Sequence, residues 1–70
     1  MNDVEARLPI RLGQLLKLAD LADSGTHARE LVEAGEVEVN SERCTQRGRQ
    51  LSEGDTVSVH GTTITVISAD

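Results

Sequence analysis

The stretch from Ser24 to Asn40, SGTHARELVEAGEVEVN, constrains the fold more than any other part of this chain. Its spacing predicts a capped helix, a glycine stop, a short strand and the start of a turn. The Ser24 hydroxyl oxygen can accept from the free amides of the first helical turn, the N-cap role. Ala28, Leu31, Val32 and Gly35 recur at i, i+3, i+4 and i+7, so one narrow stripe faces inward. Gly35 can take the left-handed conformation that ends a helix without a Cβ penalty. Val37 and Val39 then alternate with Glu36 and Glu38, the period of a strand with one buried face. A helix so joined must lie against the sheet that its own strand enters. Arg29, one residue off the stripe, then points away from the core.

The rest of the chain adds pieces of the same kind. Met1 to Arg7 is polar and without periodicity, which predicts a loose arm, and residues 1–9 stand apart, as a flexible or edge-strand arm, from a single domain over 10–67. Pro9 holds Leu8 extended, so Leu8 to Arg11 can add an edge strand. Leu12, Leu15, Leu16 and Ala19 give a first helix with Arg11, Gln14 and Lys17 outside the core. Its start is poorly signalled, since Arg11 is no cap and Gly13 costs about 1 kcal/mol against Ala. Leu18 and Leu21 are expected to cover the joint to the second helix. Asn40-Ser41 reads as a tight turn, Glu42 to Cys44 as a brief return strand and Ser52 to Asp55 as a turn. Thr56 to Val59 and Thr62 to Ile67 form a hairpin about His60-Gly61. The fold class is α+β: two helices packed together on one face of a small, curved antiparallel sheet.

Seventy residues make one domain, near the lower limit for independent stability. With no Trp, Tyr or Phe, its core must be aliphatic. No stretch approaches the roughly 20 apolar residues of a membrane span. MNDVEARL has no apolar signal-peptide core, so a cytoplasmic monomer is the expectation. Cys44 has no second cysteine with which to form a disulfide or share a metal, and reads as an inert, half-buried strand residue.

The net charge of −5 argues against a general-purpose nucleic-acid binder, but it hides a segregation. RCTQRGRQL, Arg43 to Leu51, holds three arginines and no acid, while the acids are spread elsewhere. Arg43, Arg47 and Arg49 on one loop, with Lys17 and Arg29 from the adjoining helices, could grip one row of anions. The guanidinium fork matches a pair of phosphate oxygens. Gly48 lets such a loop bend, and the amides near Ser24 and Gly25 add a weak anion site. Most short basic runs are nevertheless simply solvated. His27 and His60 are too few and too far apart in sequence for a metal site. Ser24 is occupied as a cap, so it makes no nucleophile pair with His27. No Gly-rich phosphate loop runs into Lys-Ser/Thr. Neither catalysis nor a cofactor nor a small-molecule substrate is expected.

The order of motifs resembles the S4-like RNA-binding domain, the alpha-L motif. The pieces are the Leu-rich Leu12 to Ala19, Ser24 with Ala28-Arg29, Gly35, Val37 to Asn40, and Gly54-Asp55-Thr56-Val57. LGQLLKLAD (Leu12 to Asp20) and RGRQLSEGD (Arg47 to Asp55) are similar to the small free-standing bacterial proteins of the YaaA/YbcJ type. The resemblance covers about Ile10 to Val66. It implies binding to structured RNA, ribosomal or similar, with Lys17, Arg29, Arg47 and Arg49 where relatives carry RNA-facing cations. Arg43, Ser24 and Arg11 complete the candidate site, although Arg11 has no steady basic counterpart. Ser41 stands where glycine is common, Gln46 and Gln50 where cations are, and Gly25 replaces a basic residue.

Single-strand readers stack bases on aromatic rings, and this chain has none. Folded RNA, read through its backbone shape and 2′-hydroxyls, is the better match. Three to five neutralised phosphates would give log K against log[salt] a slope on the order of −2 to −5. The alternative is a protein-interaction adaptor that keeps the fold without strong RNA binding, in line with the acidic total.

Overall fold

Helix α2 (Gly25–Glu33) begins and ends where its capping residues lie. The Ser24 hydroxyl oxygen accepts from the His27 amide at 3.0 Å. At the other end Gly35 takes φ +75°. Its N–H donates to Val32 C=O and that of Glu36 to Leu31 C=O, each at 3.1 Å, so the last turn closes on itself. Helix α1 (Leu12–Leu18) ends in the same arrangement with Asp20 at φ 59° in place of a glycine. Asp20 N–H reaches Lys17 C=O at 3.1 Å and Leu21 N–H reaches Leu16 C=O at 2.9 Å.

The computed structural model describes residues 2–69. Besides the helices it contains strands β1 (Asn2–Ala6), β2 (Ile10–Arg11), β3 (Val37–Val39), β4 (Glu42–Arg43), β5 (Gln50–Leu51), β6 (Thr56–Val59) and β7 (Thr62–Ser68). A five-stranded sheet runs in the order β1-β7-β6-β3-β4, and β2 pairs with β5 in a separate two-stranded sheet. Val37, Val39, Val57, Val59, Ile64 and Val66 line one face and are buried beneath Leu12, Leu15 and Leu16 of α1 and Ala28, Leu31 and Val32 of α2. The opposite face carries Glu38, Ser58, Thr63 and Thr65, none of them buried.

Several expectations are corrected or refined. The sheet is mixed rather than wholly antiparallel, because β1 pairs parallel with β7, Val4 opposite Val66. The N-terminal arm is therefore not loose but an edge strand from Asn2 to Ala6, the second of the two forms expected for it, while Met1 lies outside the described residues. Only half-buried Val4 and buried Ala6 mark its inner side, too sparse a pattern to read as a strand. Leu18 does not cover the helix joint but is 52% exposed. It lies two residues beyond Leu16, about 200° round the helix and so off the core side. Cys44 is buried rather than half-buried. Gly48 has no positive φ; the turn closes through the Arg49 N–H to Gln46 C=O bond at 3.1 Å.

Two turns far apart in sequence are tied together by side chains. Asn40 and Ser41 both have positive φ, at 53° and 69°, as the tight β3–β4 hairpin needs. The Asn40 amide oxygen accepts from Thr56 N–H at 3.0 Å, and its nitrogen donates to Asp55 Oδ1 at 3.1 Å. Asp55 Oδ2 accepts in turn from Ser52 N–H at 2.8 Å. The Ser52 amide first, and the Asn40 amide second, hold the Asp55 carboxyl below the usual range, with a smaller contribution from the Arg49 charge.

Two outcomes are expected in urea denaturation. Gly35→Ala should cost about 1–2 kcal/mol for the left-handed backbone alone. It also places a Cβ 3.2 Å from Arg43 Cδ. Gly25→Ala, whose Cβ meets nothing within 4 Å, should change stability by no more than about 0.5 kcal/mol. A lowered carboxyl pKa stabilises the fold above the ordinary carboxylate range, and that contribution fades as pH falls through the folded-state value. Asp55→Asn should therefore be less stable than the wild type at pH 7 by about 1 kcal/mol. The gap should start to narrow as pH falls into the ordinary carboxylate range and close only at more acidic pH, where the folded-state carboxyl takes up its proton.

Candidate functional site

Helix α1 starts without a side-chain cap from Arg11, whose side chain has no acceptor to offer. Its first amides are satisfied from elsewhere in the chain. Leu12 N–H donates to Arg49 C=O at 2.8 Å and Gly13 N–H to Arg47 C=O at 3.1 Å. The basic loop is thus docked onto the start of α1 by its own carbonyls. Antiparallel pairing of Ile10 with Leu51 and Arg11 with Gln50 holds the same two segments side by side. Gln14 Oε1 closes the turn by accepting from Arg11 N–H at 3.2 Å.

This docking opens a cleft of about 360 Å³ lined by Arg11, Gly13, Gln14, Lys17, Gly25, Arg47 and Gly48. That volume falls within the roughly 300–1,000 Å³ of ordinary ligand clefts. Arg11, Gln14 and Lys17 are spaced by three along the start and exposed side of α1, so they form one row. Arg47 and Gly48 come from the turn opposite, and Gly25 from the first turn of α2. The lining includes three cations and no carboxylate, on a chain whose net charge is −5. Among the described residues Arg29 with Glu33 is the ion pair within 4 Å; the carboxylates of Asp23 and Glu36 also lie within 4 Å of the His27 and His60 rings, and none of these contacts involves a cation of the cleft. An anion entering there would displace water only, and no internal ion pair would have to break.

Of the residues singled out in the sequence, the fold brings Arg11, Lys17 and Arg47 to the cleft and leaves four others outside its lining. Arg29 is exposed on α2 and donates from Nε to Glu33 Oε2 at 2.9 Å. That hydrogen bond, and then the carboxylate's charge, push the Arg29 guanidinium pKa up. Arg43 lies in β4 opposite Glu38, its stem against Gly35. Arg49 gives its carbonyl to α1, and its charge acts on Asp55. Ser24 acts as the cap that fixes the start of α2 next to Gly25. His27 Nδ1 accepts from Asp23 N–H at 3.0 Å, so its ring faces its own turn.

Sequence reasoning missed Gly13 and Gln14 as parts of the site. In the sequence Gln14 stands only as a residue off the core, and Gly13 only as a cost to the helix. The available signal was Gly13 itself, an unfavourable residue inside a short helix with no turn to justify it. Among the described residues no group of three or more His, Cys, Asp or Glu side chains could hold a metal ion. Among the described residues no helix is long and apolar enough to cross a membrane.

Comparison with known proteins bears on the same region. A family model described as the S4 domain matches residues 5–67. Over 52 residues the chain is 48% identical to a probable ribosome maturation protein, RlbA, of Bacillus subtilis, covering 74% of this chain and 73% of that protein. The solution structure of YbcJ from E. coli, whose alpha-L motif is involved in RNA binding, superposes with a TM-score of 0.72 at 29% identity. That match covers 96% of this chain and 87% of YbcJ. Heat shock protein 15 of Vibrio cholerae, a trimeric structure, has a TM-score of 0.75 at 23% identity. It shares the fold over 89% of this chain, which spans 66% of that longer one.

Proposed function

This chain belongs to the S4 domain family, and from that premise we propose that it is a non-catalytic RNA-binding module. Its ligand is the sugar-phosphate backbone of folded RNA, and the setting is ribosomal, in keeping with the maturation protein it resembles. The observation that carries this reading is the convergence of Arg11, Lys17 and Arg47 on one cleft, none of them engaged by a carboxylate. Arg11 and Arg47 offer planar donor forks to phosphate oxygens, and Lys17 adds a point charge. Gln14 supplies a neutral donor among them. The glycines at 25 and 48 leave backbone exposed where a phosphate can approach closely.

The remaining candidates take lesser roles. Arg43 and Arg49 meet flanking phosphates, Ser24 shapes the α2 end of the cleft, and Arg29 contributes least because Glu33 already holds it. Without aromatic side chains the module reads shape rather than bases. Acidic residues on the rest of the surface favour one approach direction and repel RNA from the others.

Fluorescence anisotropy with a labelled ribosomal RNA hairpin across a salt series tests this. Three phosphate contacts predict a log–log slope of about −2 to −3. Arg11→Ala with Arg47→Ala should weaken binding at least about tenfold and reduce the slope by about 1–2. Arg29→Ala should stay close to wild type. Absence of binding even at low salt, or a double variant that binds like the wild type, would overturn the reading and favour a protein adaptor.

A further inference from the structure

Gly13 occupies the second position of a seven-residue helix, where alanine is the better helix former. Its backbone is not left-handed, so its conformation does not call for glycine. The space around it does. A Cβ at this position would lie 2.8 Å from Arg47 Cγ, 3.3 Å from Arg47 Cδ and 3.7 Å from the Arg47 carbonyl oxygen. The Gly13 N–H donates to that same carbonyl at 3.1 Å. Both the main chain and the stem of Arg47 therefore rest on the bare Gly13 backbone.

The Cγ of an arginine is placed by its first side-chain torsion. Moving it means changing rotamer, which redirects the whole side chain rather than its tip. We infer that Gly13 is a positioning residue: by having no side chain it seats the Arg47 stem across the first turn of α1 and holds the guanidinium at the cleft. This rests on the RNA-binding reading of the cleft and adds to it a residue that sets the direction of one cation. Any larger residue at position 13 turns Arg47 away or breaks the hydrogen bond that docks its loop.

The test compares wild type, Gly13→Ala, Arg47→Ala and the double variant in RNA-hairpin anisotropy across salt and in thermal unfolding. Arg47→Ala should weaken binding severalfold and lower the salt slope by about 0.7–0.9, one phosphate contact. Gly13→Ala should match it in affinity and slope, and the double variant should bind no more weakly than Arg47→Ala alone. With Arg47 truncated the crowding is gone, so adding Gly13→Ala should raise the thermal midpoint above that of Arg47→Ala. If Gly13→Ala fails to fold alone, recovery of folding in the double variant supports the inference, and a double variant that stays unfolded overturns it. Wild-type affinity and slope for Gly13→Ala beside weakened binding by Arg47→Ala overturns this inference alone. Wild-type binding by Arg47→Ala overturns both it and the reading beneath it.

Discussion

Two backbone hydrogen bonds hold the site together: Leu12 N–H to Arg49 C=O and Gly13 N–H to Arg47 C=O. A helix leaves its first amides without partners, and most helices satisfy them with a side chain just before the first turn. Here the acceptors come from a loop more than thirty residues later in the chain. The same two bonds complete α1 and fix the arginine turn against it. The cleft lies along the seam, so the structural need of the helix and the placement of the cations share one cause. Loosening the loop would cost helix stability as well as site geometry.

The charge pattern follows from that seam. Carboxylates are plentiful, yet the pairs that form lie within α2 and its cap, and between the β6–β7 turn and Glu36. Among the described residues the cleft cations have no carboxylate partner and remain available. An exposed ion pair contributes little to stability, so leaving these groups unpaired costs the fold little. In the proposed function the acidic remainder of the surface restricts how a polyanion can approach. It does so without weakening contacts inside the cleft, which are shorter than the roughly 8 Å screening length at physiological salt.

Much of the fold was legible because its signals are local. The period of Ala28, Leu31 and Val32, the alternation of Val37 with Val39, the Ser24 cap and the Gly35 stop each depend on a few neighbouring residues. The parallel pairing of β1 was not legible, since it joins the two ends of the domain and leaves only Val4 and Ala6 as traces. The capping of α1 was hidden for a different reason. A backbone carbonyl is the same in every residue and leaves no mark in the sequence. Of the candidate cations legible in the sequence, Lys17, Arg47 and Arg11 line the cleft. Arg29 lies apart from it, and its i, i+4 spacing from Glu33 is the sequence mark of the ion pair it forms. Gly13 stood in plain view as a helix defect, and only the Arg47 stem beside it gives that defect a purpose.

In the proposed function RNA seats in the cleft between α1, the start of α2 and the arginine turn. Amide chemical-shift mapping of the isotope-labelled chain, titrated with a ribosomal RNA hairpin, locates the contact directly. The account predicts the largest shifts at Gly13, Gln14, Gly25, Arg47 and Gly48. Shifts centred instead on Glu38, Ser58 and Thr63, across the outer face of the sheet, would contradict it.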